Sequence, residues 1–159
     1  MLKRALLVAC GAMCLSMQAA AAQTAPAAAA AAPAYDAELA KSLGGNDNGL
    51  RSYVLVILKT GPNKVADAEE RKKMFQGHFA NMERLAAEKK LAFAGPLDGV
   101  EGRRGIFILA TQDIEVAKTY VATDPVIISG EMVAEYHKLY GSAALMMVND
   151  AHHKIIRKK

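Results

Sequence analysis

The chain has 159 residues, 52% of them hydrophobic, and a formal charge of +4. This length predicts one domain with extensions, since domains most often hold about 100 to 150 residues. The first 22 residues carry +2 and the tail from Val148 carries +3, so residues 23–147 carry −1 of the total of +4. A domain so close to neutral lacks the basic footprint that nucleic-acid binding requires, and we expect no nucleic-acid partner.

The chain begins with the pattern of a secretory signal peptide. Two basic residues at 3–4 precede an apolar run over 5–17, and three alanines at 20–22 offer a cleavage site. The run is shorter than the roughly 20 residues of a membrane span. We therefore predict a signal peptide over residues 1–22, a periplasmic or secreted protein, and no stable membrane insertion after the signal is removed.

Both cysteines, Cys10 and Cys14, fall inside this segment. Leu7 to Cys10 has the residue types of a lipid-attachment box, which is the competing interpretation, although the apolar core before Cys10 is then very short. Without the segment the chain holds no thiol. That excludes disulfides, thiol nucleophiles and thiolate metal ligands from the chemistry of the mature protein.

Residue patterns predict six main elements. Ser52 to Lys59 is apolar at consecutive positions and reads as a strand covered on both faces. Helical spacing of apolar residues follows from Asp67 to Lys90, where Asp67 and Glu70 resemble a capping pair. The remaining predicted elements are strands at Leu91 to Ala94 and Ile106 to Thr111, a helix at Asp113 to Ala122, and a strand at Glu131 to Tyr140.

The order β-α-β-β-α-β over residues 50–141 is that of an α+β, ferredoxin-like fold. One face of such a sheet packs against its two helices, and the other face also looks apolar here. Because a bare apolar sheet face is a large patch to leave in water, we expect a second copy to cover it, sheet against sheet. Residues 23–49 begin with an Ala- and Pro-rich stretch and are predicted to be a linker. Residues 142–159 form a basic C-terminal extension with a loosely held helix.

Two segments resemble a known family. Gly77 to Leu97, "GHFANMERLAAEKKLAFAGPL", followed by "ATDPVIISG" from Ala122 to Gly130, is similar to the YCII-related family of dimeric α+β barrel proteins. The similarity covers roughly residues 50–140. In that family a histidine on the first helix pairs with an aspartate in a D-P motif as an active-site dyad. The resemblance implies that His78 and Asp124 are the catalytic residues.

One departure from the family pattern bears on the ligand. Phe75 stands three residues before His78, where family members often have an arginine. This replacement removes an anion-binding group and so argues against a carboxylate substrate. Asp124 itself precedes Pro125, which disfavours helical geometry at Asp124, and we expect it where the second helix ends.

The residues alone also point to a site at His78. It lies three residues after Phe75 and four before Met82, on the helix face that packs against the sheet. A buried imidazole needs a hydrogen-bond partner, and a carboxylate that accepts from one ring nitrogen leaves the other as a base. That chemistry suits proton abstraction, isomerisation or elimination on a small organic molecule, and it needs no metal and no organic cofactor.

Other interpretations stay open at this point. A histidine on an apolar helix face is often a satisfied core residue, and the alternative function is a non-catalytic dimeric module that binds a small apolar or ring-containing molecule. Six further residues are candidates for lining the cleft, with core or dimer packing as the competing role for Tyr53, Tyr136 and His137. The six cleft candidates are Tyr53, Phe75, Phe79, Met82, Tyr136 and His137.

Overall fold

A four-stranded antiparallel sheet forms the centre of the molecule. The structure is a computed structural model and describes residues 34–157. The strands are β1 (Leu50–Thr60), β2 (Leu91–Pro96), β3 (Arg103–Leu109) and β4 (Met132–Ser142), in the spatial order β2-β3-β1-β4. The helices are α1 (Ala37–Ser42), α2 (Ala68–Ala87), α3 (Ile114–Val121), α4 (Pro125–Ile128) and α5 (Val148–Ile155), with 3-10 segments at Val100–Gly102 and Ala143–Met147. This α+β arrangement confirms the predicted ferredoxin-like fold.

Helix starts follow from side-chain caps in the sequence. Asp67 caps α2 by accepting a hydrogen bond from the backbone N–H of Glu70 at 2.8 Å, as the capping pattern predicted. Asp113 caps α3 by accepting from the backbone N–H of Glu115, two positions on, at 2.8 Å. Asp124 has extended backbone angles, as Pro125 required, but it also caps the short helix α4, which the sequence analysis did not predict.

One face of the sheet holds the core. Alternate residues of β1, including Val54, Val56 and Leu58, are buried against the helices, because side chains along a strand point alternately to its two faces. Phe107 and Leu109 of β3 lie beside them on the same face. Helices α2, α3 and α4 complete this core with the buried residues Met74, Leu85, Ala117, Val121 and Val126.

The opposite face of the sheet is apolar but only half-buried. Leu55 pairs with Ile108 and Ile57 with Ile106 across β1 and β3, and Phe93 of β2 lies next to Ile108. These five side chains have intermediate exposure. The face therefore has the apolar character that the sequence predicted, while its cover by a second copy stays a prediction.

The N-terminal part of the chain contains a helix that the sequence did not predict. The signal peptide and most of the Ala- and Pro-rich stretch lie outside the described residues. Helix α1, however, lies within the segment 23–49 that was predicted as a linker, and the compact unit begins at Tyr35. Part of the predicted linker is therefore a helix that contacts the domain. Nη1 of Arg51, on β1, donates to the carbonyl of Leu43 at 2.7 Å, which ties the end of α1 to the sheet.

The C-terminal extension also packs on the sheet. Its helix α5 was predicted, and Asn149 Nδ2 donates to the carbonyls of Leu91 and Ala92 at 2.7 and 3.3 Å, along the edge strand β2. Within residues 34–157, no helix is both long enough and apolar enough to cross a membrane.

Candidate functional site

His78 and Asp124 form a buried contact between α2 and the start of α4. The ring nitrogen Nδ1 of His78 lies 2.8 Å from Asp124 Oδ2 and 2.9 Å from Oδ1. Asp124 is fully buried and His78 is 8% exposed. A carboxylate can only accept, so in a neutral imidazole the proton sits on Nδ1 and Nε2 is left as a base.

Close packing of two helices brings this pair together. Gly77 precedes His78 on α2, and a Cβ atom placed there would lie 2.9 Å from Cγ of Pro125. Real side chains do not approach so closely, so the absence of a side chain at Gly77 allows α2 to rest on the proline ring. The proline at the first position of α4 is favourable because it has no N–H to lose there.

Asp124 is held from three directions. Besides His78, it accepts from the backbone N–H of Val126 at 3.2 Å, and Asn81 Nδ2 lies 3.5 Å from Oδ2. A buried carboxylate is costly unless hydrogen-bonded, and these donors meet that need.

Asn81 is itself fixed by a second set of contacts. Its Oδ1 accepts from Thr123 Oγ1 at 2.9 Å and from Arg84 Nη2 at 2.8 Å. Arg84 Nη2 also donates to Thr123 Oγ1 at 3.1 Å. This network orients the Asn81 amide so that its Nδ2 group points toward the aspartate.

Three aromatic rings surround the imidazole. Phe107 stacks on it with ring centroids 6.0 Å apart, Phe75 meets it edge-on at 6.2 Å, and Phe79 lies at 5.4 Å. Within residues 34–157, Nε2 of His78 has no assigned hydrogen-bond partner. Nε2 of His78 is therefore a polar atom among apolar aromatic side chains.

A cleft of about 340 Å³ opens beside His78, between α2 and one end of the sheet. Ala94 of β2 and Gly105 of β3 occupy helix-facing positions there, and their small size leaves space beneath α2. The cleft is lined by Leu58, Phe75, His78, Phe79, Met82, Ala94, Gly95, Pro96, Arg104, Gly105, Ile106, Phe107 and Met132. Phe75, Phe79 and Met82 therefore lie where the sequence analysis expected them.

Three of the predicted cleft residues do not line this cleft. Tyr53 is fully buried and donates to the carbonyl of Ser142 at 2.9 Å. Tyr136 packs against the core, and burial raises the pKa of its phenol. His137 lies on the opposite sheet face, with Nε2 2.8 Å from Glu135. The alternation along the strands places Tyr53 and His137 on the other sheet face, whereas Tyr136 shares the helix-facing side with Val56 but does not line the cleft.

Two polar side chains, Asn81 beside Asp124 and Arg104 in the cleft wall, were not predicted from the sequence. Asn81 could have been found, since it lies three positions after His78 and so shares its helix face. Arg104 could not, because its placement depends on an irregularity in the pairing of β1 and β3. No metal-binding cluster of three or more His, Cys, Asp or Glu side chains occurs among residues 34–157.

The fold and the cleft define a small α+β protein of ferredoxin-like topology with a histidine and an aspartate in contact beneath its first long helix. The model of the YCII-related domain matches residues 52–137, which is more than half of the 159 residues. The chain belongs to the YCII-related family.

The chain is also similar to a solved structure. It is the 5-chloro-2-hydroxyhydroquinone dehydrochlorinase TftG from Burkholderia phenoliruptrix AC1100, in complex with 2,5-dihydroxybenzoquinone. The two chains are 17% identical with a TM-score of 0.36, and the match covers 55% of this chain and 90% of that one. At this level the similarity says nothing about ligand or activity. Comparison with curated proteins gave no match.

The close approach at Gly77 can be tested by Gly77→Ala. Helix propensity alone would make alanine more stable by about 1 kcal/mol, but overpacking against Pro125 costs about 1 to 3 kcal/mol. We expect a net loss of up to about 2 kcal/mol in the free energy of unfolding, measured by urea denaturation. Gly141→Ala is the matched control, because a Cβ atom there meets nothing within 4 Å. A Gly77→Ala protein more stable than wild type by about 1 kcal/mol, the full gain from helix propensity, would contradict the close packing.

Proposed function

We propose that the protein is an exported, cofactor-independent lyase or isomerase that acts on a small organic molecule. His78 Nε2 is the general base, and Asp124 holds the imidazole and stabilises the charge that it gains. The observation that carries this proposal is the 2.8 Å contact between His78 Nδ1 and a fully buried carboxylate, with the same ring lining a cleft.

The reaction follows from the positions of the two nitrogens. Nε2 removes a proton from a carbon next to a carbonyl group, and the electron pair moves into the carbonyl to give an enolate. The imidazolium then bears one proton on each nitrogen, with the proton on Nδ1 directed at Asp124. Where a double bond is conjugated with the enolate, return of the Nε2 proton to the far carbon of that double bond shifts the double bond and completes an isomerisation. Where the carbon next to the enolate carries a leaving group, the electron pair returns from oxygen, a carbon–carbon double bond forms and the leaving group departs, which completes an elimination.

The cleft walls suit a small, largely apolar substrate. Phe75, Phe79 and Met82 line one side and Phe107 lines the floor, so water around the reacting carbon would be displaced. A volume of about 340 Å³ is within the range of small-molecule sites and holds a single ring with substituents. The low polarity around His78 also strengthens its interaction with Asp124.

Export is part of the same proposal. Its support is the order of charges, apolar run and small residues over 1–22, which is that of a secretory signal.

A second candidate function is binding without catalysis. Phe79 is 57% exposed at the cleft, and an exposed aromatic side chain beside an apolar cleft is typical of a ligand-binding surface. In a pure binding module His78 would orient a ligand or fill the core. The two candidates differ in whether the base at Nε2 is needed.

Proton exchange into carbon acids separates these candidates. A panel of cyclic ketones and hydroxyquinones in D₂O would be followed by ¹H NMR for loss of the signal next to the carbonyl. We expect His78→Gln to slow enzyme-dependent exchange by about 10²- to 10⁴-fold, the usual contribution of a general base. Asp124→Asn should slow it too, because the imidazole loses the carboxylate that fixes its tautomer.

His153→Gln is the matched control, since His153 is exposed on α5, does not line the cleft and does not belong to the open sheet face. It should exchange at the wild-type rate. Equal exchange in wild type and a folded His78→Gln protein would sink the catalytic role. A wild-type protein that binds panel compounds but exchanges none of them would favour the second candidate.

We also propose that the protein is a homodimer that buries the open sheet face, because five half-buried apolar residues cluster there. Leu55 pairs with Ile108 in the middle of that face. Leu55→Glu would place a charge in the sheet-to-sheet contact, and we expect it to be monomeric by light scattering while wild type is dimeric.

Ile128→Glu is the control for the dimer test, because Ile128 is 72% exposed on α4 and does not belong to that face. It should remain dimeric. A monomeric wild-type protein would refute the dimer.

A further inference from the structure

An irregularity in the sheet sets the position of Arg104. Along β1 and β3, Leu58 pairs with Gly105, but the next residue, Lys59, pairs with Arg103. Arg104 is therefore the extra residue of a β-bulge. Bulges redirect the side chain of the extra residue out of the regular alternation, and here Arg104 lines the cleft together with Gly105.

The side chain of Arg104 is not committed to an acidic partner. Among residues 34–157, it forms no ion pair. Its neighbour Arg103, in contrast, pairs with Glu101.

The buried carboxylate of Glu131 is already occupied. Arg71 donates to it through Nε at 2.9 Å and Nη2, and the backbone N–H of Val65 donates at 2.8 Å. These hydrogen bonds, from Arg71 first, hold the pKa of Glu131 below its usual value, and the charge of Arg104 is the smallest contribution. Arg104 thus retains a positive charge for another partner.

Within residues 34–157, Arg104 is the one cationic side chain of Lys or Arg type that lines the cleft. The other wall residues are apolar except for His78, which supplies a base and not a fixed charge. A guanidinium pairs best with a planar, two-oxygen anion, through two parallel hydrogen bonds. The aromatic walls select the rest of the ligand by burying an apolar ring.

We propose that Arg104 determines specificity by binding the anionic oxygen substituent of the ligand, a carboxylate or a phenolate. The ring of the ligand then lies between Phe79 and Phe107. This inference rests on the proposed function in that it names the substrate class of the same cleft. It differs from the expectation, drawn from Phe75, that the site lacks an anion-binding group, because it takes the cation from β3 instead of α2.

Benzoate and its neutral analogue benzyl alcohol are the probes for this charge recognition. Each would be titrated into the full-length protein after signal removal, with binding followed by ¹H–¹⁵N shifts of Gly95, Gly105 and Phe107. Wild type should bind benzoate at least about tenfold more tightly than benzyl alcohol, the range expected of one charge-assisted hydrogen-bonded pair. Arg104→Gln should abolish that preference, and Arg104→Lys should retain part of it.

Arg103→Gln is the matched control, because this neighbouring arginine does not line the cleft. It should keep the wild-type preference for benzoate. Unfolding curves of the variants would establish that each is folded. If Arg104→Gln does not fold, the reduced benzoate preference expected of Arg104→Lys tests the same role.

Three results would overturn the role of Arg104: equal binding of both probes by wild type, binding of neither probe, or an unchanged benzoate preference in folded Arg104→Gln. His78→Gln separates this inference from catalysis. It should still prefer benzoate, since the anion contacts Arg104. If His78→Gln loses proton exchange but keeps the benzoate preference, both proposals are supported. If wild type shows a benzoate preference that depends on Arg104 but catalyses no proton exchange, only the role of Arg104 is supported.

Discussion

The buried contact between His78 Nδ1 and the Asp124 carboxylate is the interaction on which the site depends. It joins residues 46 positions apart in the chain and links α2 to the start of α4. A fully buried carboxylate must find donors, and His78, Asn81 and Val126 supply them. Asp124 therefore both caps α4 and holds the imidazole of His78. The packing of α2 against α4 thus also determines which ring nitrogen carries the proton.

Small residues make this arrangement sterically feasible. Gly77 lets α2 approach Pro125, and Gly105 with Ala94 leaves space on the sheet beneath the same helix. The helix thus packs closely on α4 at Gly77 and leaves the cleft on the side that faces β2 and β3. The bulge at Arg104 adds a cation at the edge of that space, and a largely apolar cleft gains one fixed charge and one base.

Much of the fold could be predicted because local patterns and tertiary packing agree. Asp67 caps the predicted helix. The consecutive apolar residues of β1 form the predicted strand, which is buried on the helix-facing side and half-buried on the other, where the predicted cover stays a prediction. Asp124 was assigned to the correct place, but α4 was missed because four helical residues give no periodic pattern. The facing of His137 and Arg104 was beyond prediction, since it depends on the register between β1 and its neighbouring strands, which only pairing in three dimensions determines.

The tautomer of His78 tests the account most directly. Two-bond ¹H–¹⁵N NMR spectra of the ¹⁵N-labelled protein distinguish a proton on Nδ1 from a proton on Nε2 in the neutral imidazole. The contact with Asp124 predicts the Nδ1–H form in wild type and a shift toward the Nε2–H form in Asp124→Asn. A wild-type protein with the proton on Nε2 would contradict it, because the nitrogen at the cleft would then be a donor and could not act as the base.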